Sequence, residues 1–330
     1  MTEDNALFSP DFSLIHRYNK DDELASRSRP TAVTHFARGG KNLYYINASH
    51  VTDTNNPTCK TIEETIKRYK PQAIVIESVA TKGFSKDTKT SETTYAYSLA
   101  KANNIDLVAG EPPDSVVLDA MMAKGYSAKD VMAFYLLRRL PQDRREGTVF
   151  DDDSFAKNAE LWLNRCFPDY PGEKITVTEF KGWYDKHKVN NKSFLDIEVS
   201  DVAPDASPDA AYFQKIASDT VTIRDTHTVG KIADTMKTHD NVLVVYGGAH
   251  LTDLRPVLEQ MFTHKGETIQ LAPDYKKNQE NKKKSLFTTV TAIAIGAVAA
   301  VAAGFAADKF LNEGRAAKKI FDTVRGWGKH

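Results

Sequence analysis

Cysteine is scarce in this chain. There are two, Cys59 and Cys166, among 330 residues, and their separation fits no metal-ligand or redox spacing. A disulfide-stapled fold and a cysteine zinc site are therefore excluded, and two free thiols point to a reducing compartment. A surplus of either charge is also missing: Lys+Arg and Asp+Glu stand at 44 each. Global charge thus argues against a nucleic-acid partner. No internal repeat stands out. The N-terminus, MTEDNALFSPDF, has neither a basic stretch nor an apolar core, so no secretory signal is expected. What remains is ordinary for a globular protein, with 41% hydrophobic and 27% charged residues.

The stretch NVLVVYGGAH, 241–250, organises the chain. Its apolar, β-branched run 242–246 has the length of a buried parallel strand. Gly247 and Gly248 are expected to turn the chain sharply by adopting φ values that a Cβ resists. His250 would then stand at the carboxyl edge of a sheet, where open α/β folds keep their ligands. The structural alternative is a histidine that caps the helix following it.

The remaining chain gives an α/β order. A hairpin is expected over 31–50, with strands 31–37 and 41–47 joined at Arg38-Gly39-Gly40. A helix over 63–69 and a strand over 73–76 follow. Next come a helix over 91–103 and a strand over 105–109. Helical periodicity marks 116–124, 128–140 and 153–166. Residues 168–210 read as irregular. A helix over 211–235 precedes the central strand, and a helix to about 262 and a short apolar stretch over 268–271 follow it. The expected fold is α/β, with a mainly parallel sheet, an N-terminal hairpin, a helical insertion and a C-terminal transmembrane helix. As domains this gives a polar lead-in 1–30, an α/β domain 31–272 with its insertion at about 114–210, a basic linker 273–284, the transmembrane helix 285–307 and a basic amphipathic tail 308–330.

The run 285–307 has 23 residues without a charge. As a helix of that length it would span roughly 34 Å, enough for a bilayer core of about 30 Å. Gly296, Ala300 and Gly304 recur at four-residue steps and could form a helix-packing face for a homo-oligomer. Lysines and arginines flank both sides, so charge does not set the orientation. The resulting expectation is a cytosolic head on a C-terminal single-pass anchor in a lipid bilayer. The alternative is a buried, alanine-rich helix.

His50, Glu77, Glu111 and His250 each stand directly after a strand-like run. Strand ends lie side by side along one edge of a parallel sheet, so the four could converge. Two imidazoles and two carboxylates suit a divalent metal, or a water activated by a histidine that a carboxylate holds. Singly, Glu77 and Glu111 are equally well read as turn or cap residues and His50 as a hairpin-edge histidine. Arg224, on the helix before the central strand, could pair with Asp225 or Asp219 at the surface.

Short motifs then give a resemblance. Asn47-Ala48-Ser49-His50, Glu77 in AIVIES, Gly110-Glu111, Arg224-Asp225 and Gly247-Gly248-Ala249-His250 occur in the order and strand placement of the TraB/TIKI family. That family belongs to a wider group with erythromycin esterases and ChaN-like proteins. The match covers roughly 31–265. Asn47 stands where the family has glycine; asparagine tolerates left-handed backbone better than most residues, which would keep the turn.

The resemblance implies hydrolysis of a peptide or small ester, by a metalloprotease-like or esterase-like enzyme. It implies His50, Glu77, Glu111, Arg224 and His250 as catalytic residues. His50, Glu77 and His250 would hold a divalent ion such as Mn, Co or Zn. Arg224, Gly247 and Gly248 would bind substrate, with Arg224 on a carboxylate or a developing oxyanion. C-terminal membrane segments occur in several TraB-like proteins, in agreement with 285–307. The expected function is a membrane-anchored, metal-dependent hydrolase. One alternative is a non-catalytic protein of the same fold that binds metal, haem or a peptide. Another is a membrane-remodelling or pore-forming protein acting through its C-terminal segment.

Overall fold

The computed structural model describes residues 8–19, 22, 31–49, 55–77, 91–145, 147–188 and 191–269. All of them fall in the first of two units, Met1–Leu271; the second, Ala272–His330, lies outside the described residues.

The strands are β1 (Val33–Arg38), β2 (Lys41–Ala48), β3 (Ala73–Ile76), β4 (Asp106–Ala109), β5 (Asn241–Gly247) and β6 (His264–Ile269). The helices are α1 (Pro57–Tyr69), α2 (Glu92–Ala102), α3 (Asp114–Ala123), α4 (Ala128–Arg145), α5 (Asp152–Cys166), α6 (Val177–His187), α7 (Tyr212–Thr238) and α8 (His250–Met261). The sheet runs β4-β3-β5-β2-β1-β6. Its first four strands are parallel, and β1 runs antiparallel to both β2 and β6. The sheet is therefore mixed. The stretch expected over 268–271 is the end of an edge strand that begins at His264, whose charged residues hid it from a search for apolar runs.

Side-chain alternation sorts the core into two layers. Leu43, Tyr45, Val75, Val242, Val244 and Tyr246 face α7 and α8. Tyr44, Ile46, Ile74, Ile76, Leu243 and Val245 face α1 and α2. The central strands are covered on both sides, which is why β5 reads as an unbroken apolar run. A third core lies within the insertion, where α3 to α6 and the start of α7 close over Leu137, Phe155, Phe180 and Phe213. Each such side chain contributes roughly 1.5–3 kcal/mol when fully buried.

Local chemistry explains where elements differ from expectation. In the hairpin, Gly39 (φ 57°) and Gly40 (φ 82°) form the two-residue turn and Arg38 joins the strand opposite Lys41. Helix α1 starts six residues early because the Asn56 side chain accepts from Cys59 N at 2.9 Å and Pro57 opens the first turn. Helix α4 continues past Pro141, and Arg144 ties its last turn to the carbonyls of Leu195 and Ile197. Within the supposedly irregular 168–210, α6 forms behind a reciprocal cap between Thr176 and Glu179.

The membrane-anchored architecture is corrected. Among the described residues no helix is long and apolar enough to cross a membrane. The run 285–307, on which the anchor, the lipid contact, the homo-oligomer contact and the cytosolic-head topology all rested, lies outside the described residues.

Candidate functional site

Backbone pairing brings the ends of β3 and β4 together. Gly110 N donates to Ile76 O at 2.7 Å and Glu111 N to Glu77 O at 3.3 Å. A Cβ on Gly110 would sit 3.0 Å from that Ile76 oxygen and 3.1 Å from Val75 Cγ1, so only glycine permits this approach. Glu77 and Glu111 consequently leave the sheet edge side by side.

Strand β5 ends between β3 and β2 and passes into α8, whose first residue is His250. Neither Gly247 nor Gly248 has a positive φ, which corrects the expected reason for the pair. Gly248 instead permits close approach. Its N–H donates to Ala48 O at 3.0 Å, and a Cβ there would lie 3.4 Å from Asn47 Cβ. Asn47 is strand backbone, not a left-handed turn, and its Oδ1 accepts from Ala32 N at 2.7 Å.

Helix α7 supplies the groups that meet these edges. His250 Nδ1 lies 2.6 Å from Asp225 Oδ1, and the Asp225 side chain is 0% exposed. Burial alone would lower the imidazole pKa, but the charge and hydrogen bond of Asp225, assisted by Glu77 and Glu111, hold it at about 9. At neutral pH His250 is therefore an imidazolium whose Nδ1–H donates to Asp225. Its ring also stands edge-on to Tyr246, with centroids 4.6 Å apart.

Glu111 is fixed from two sides. Tyr246 donates its hydroxyl to Oε1 at 3.0 Å, and Arg224 Nη2 meets Oε2 at 3.0 Å. Burial pushes the Glu111 carboxyl up, and the Arg224 charge works against that rise. Burial opposes the charge on Arg224 and Glu111 more than restores it, so the guanidinium is held firmly protonated. Thr228 Oγ1, 3.2 Å from the Tyr246 hydroxyl, also lies 3.1 Å from Gly110 O, locking α7 to the end of β4.

Behind His250 lies a second acid. Asp253 is 1% exposed, and its carboxyl touches that of Asp225. Asp225 Oδ2 and Asp253 Oδ1 have no other partner. Burial first, then the Asp225 charge, raise the Asp253 pKa to about 9. Asp253 therefore carries a proton at neutral pH, and sharing it satisfies both carboxyls.

Of the expected site residues, the fold thus gathers Glu77, Glu111, Arg224 and His250; His50 lies outside the described residues. The metal-dependent hydrolase is corrected. Among the described residues no group of three or more His, Cys, Asp or Glu side chains is disposed to hold a metal ion. Glu111 is spent on Arg224 and Tyr246, and His250 Nδ1 on Asp225. Arg224 pairs with Glu111 rather than with Asp225 or Asp219. Asp225, Tyr246 and Asp253 were not singled out as site residues in the sequence. Only Asp225 had a signal, its place beside Arg224 in the short motif.

Comparison with known proteins gives no relative: no family model, curated protein or solved structure matches the chain. The resemblance to the TraB/TIKI family accordingly rests on the short motifs alone.

Proposed function

We infer that this chain is an acid–base enzyme that hydrolyses an ester. The observation that carries the reading is the Asp225–His250 pair, 2.6 Å apart, within electrostatic reach of Glu77. Among the described residues the Glu77 carboxylate has no hydrogen-bond partner, so it has free acceptor capacity beside a proton donor. A pair of titratable groups in such different environments suits separate base and acid roles. The wider group that the TraB/TIKI-like motifs point to includes esterases, and an ester is the substrate class taken here.

In the mechanism, the Glu77 carboxylate accepts a proton from water as the water oxygen bonds to the ester carbonyl carbon. The carbonyl π pair moves onto its oxygen, which the imidazolium and the Arg224 charge stabilise. As that pair returns, the C–O bond to the leaving group breaks, and His250 Nε2 gives its proton to the departing alkoxide. The proton on Glu77 then passes through water to His250, restoring both groups. Asp225 acts through His250: it fixes the ring and favours the charged form.

The test is hydrolysis of a panel of p-nitrophenyl esters and lactones by the full chain. Glu77→Gln and His250→Gln should each lower kcat/KM by about 100-fold or more. Removing His250 also strands the buried Asp225 charge, so Glu77→Gln, which leaves that pair intact, is the decisive variant. Activity should hold up to about pH 9 and fall above it, because the acid form of His250 is required. Absence of turnover across the panel, or full activity in Glu77→Gln, would overturn the reading.

A further inference from the structure

Among the described residues, one cation beside this site has no hydrogen-bonded or ion-paired counterpart. Tyr135 and Arg138 lie one turn apart on α4, and the Arg138 guanidinium stands 5.4 Å from the Tyr135 ring centroid. Arg138 is half-buried, and among the described residues it makes no hydrogen bond or ion pair. Its electrostatic neighbours are Arg224, Tyr135, Glu111 and Asp114. Both carboxylates there are committed elsewhere. Glu111 holds Tyr246 and Arg224, and Asp114 Oδ1 takes the Tyr135 hydroxyl at 2.9 Å. Arg224, for its part, has a buried Nε with no acceptor.

Two neighbouring guanidiniums therefore keep unspent donors. Arginine does not shed its charge in a protein, so a further acceptor, beyond the bonds that the described residues make to these two side chains, would lower the cost of this arrangement. The planar fork of a guanidinium matches a carboxylate in a bidentate bond. Glu111 and Asp114 already offset much of the double positive charge, which leaves room for a single negative charge rather than a phosphate dianion.

We propose that Arg138, with Arg224 beside it, forms a subsite for a carboxylate, so that the ester hydrolysed at Glu77 and His250 is one bearing a carboxylate group. The naming of the substrate rests on the hydrolase reading; the binding of the anion does not.

The full chain, labelled with 15N, is titrated with sodium benzoate at constant ionic strength while the arginine Nε–H resonances are followed. Inorganic phosphate is titrated in parallel. A saturable benzoate shift is expected, weakened about 10-fold in Arg138→Lys, which keeps the charge but loses the fork, and abolished in Arg138→Met. Phosphate should bind more weakly than benzoate. The subsite is overturned if the wild-type response does not saturate, or if Arg138→Lys binds benzoate as tightly as wild type. Tighter binding of phosphate would overturn the carboxylate assignment. Should Arg138→Met fail to fold by circular dichroism, the Arg138→Lys comparison still decides. Benzoate binding without ester turnover would sink the hydrolase reading and leave the subsite standing.

Discussion

At the scale of the residue, three acids, on α7, on α8 and just past β4, meet different neighbours. Asp225 meets an imidazolium, Glu111 meets a guanidinium, and Asp253 meets another carboxyl. The consequence is a definite pH dependence of stability. His250 titrates near its ordinary 6.5 when unfolded and at about 9 when folded, and Asp253 rises from 3.8 to about 9. In both cases the folded state binds the proton more tightly. The contribution of His250 is complete below about pH 6.5 and is lost as pH rises through 9; that of Asp253 declines from about pH 4 upward. Between pH 6.5 and 9 the two act in the same direction, so Tm should fall over that interval. Asp225→Asn removes the charge that raises both groups and should flatten the slope there, at the expense of a lower Tm at pH 6. Thermal melts of the full chain at half-unit pH steps would show it. A wild-type Tm that climbs from pH 6.5 to 9 would contradict the assigned protonation states. None of this was legible in the sequence, because an aspartate three residues after His250 looks like any helix-surface acid until its helix is seen to bury that face.

At the scale of the element, legibility followed the number of faces that an element buries. Strand β3 has the bounds expected from its apolar run, and β5 extends that run by one residue at each end, since both are covered above and below. Helix α6 was invisible because Phe180 and Tyr184 are its only buried residues, Val177 and Trp183 pack only in part, and most of the rest is polar. Its start was nonetheless written in Thr176 and Glu179, a cap signal that the search for apolar periodicity passed over. Gly248 was found with the wrong reason attached: close approach, not left-handed backbone, is what it provides, and Gly110 does the same at the end of β4. This distinction is testable. Gly110→Ala places a methyl 3.0 Å from the Ile76 carbonyl oxygen, a backbone atom that cannot swing aside. It should cost about 1–3 kcal/mol by overpacking and separate the ends of β3 and β4. Urea unfolding measures that loss, and unchanged stability would show that the two strand ends are not held at hydrogen-bond distance.

At the scale of the whole molecule, the strand order places the site where the connections part. From β3 the chain moves outward to β4, and from β5 it returns through α8 toward β6, so the connections part at the carboxyl ends of β3 and β5. Ligands collect at such a point in open α/β sheets. The general position of the site was therefore readable from the alternation of strands and helices. Its lining was not, because Arg138 comes from the helical insertion, and nothing in a helix pattern says which sheet edge an insertion will overhang. The same topology sets a gradient of stability. Strand β5 lies between β3 and β2 and is buried along nearly its whole length, while β4 and β6 are edge strands with exposed residues. Amides of β5 can exchange only when the centre of the sheet opens, whereas edge amides exchange through local fraying. Hydrogen exchange followed by mass spectrometry should rank Val242–Tyr246 slowest and the β4 and β6 amides much faster, with β3 and β2 between. The end of β5 that leads to His250 then belongs to the slow class and the end of β3 that leads to Glu77 to the next, both slower than the edges, which would keep acid and base in register through the fluctuations of the periphery. Equal protection of β4 and β5 would mean that the sheet opens as one body, and the site would owe its geometry to something other than its place at the centre.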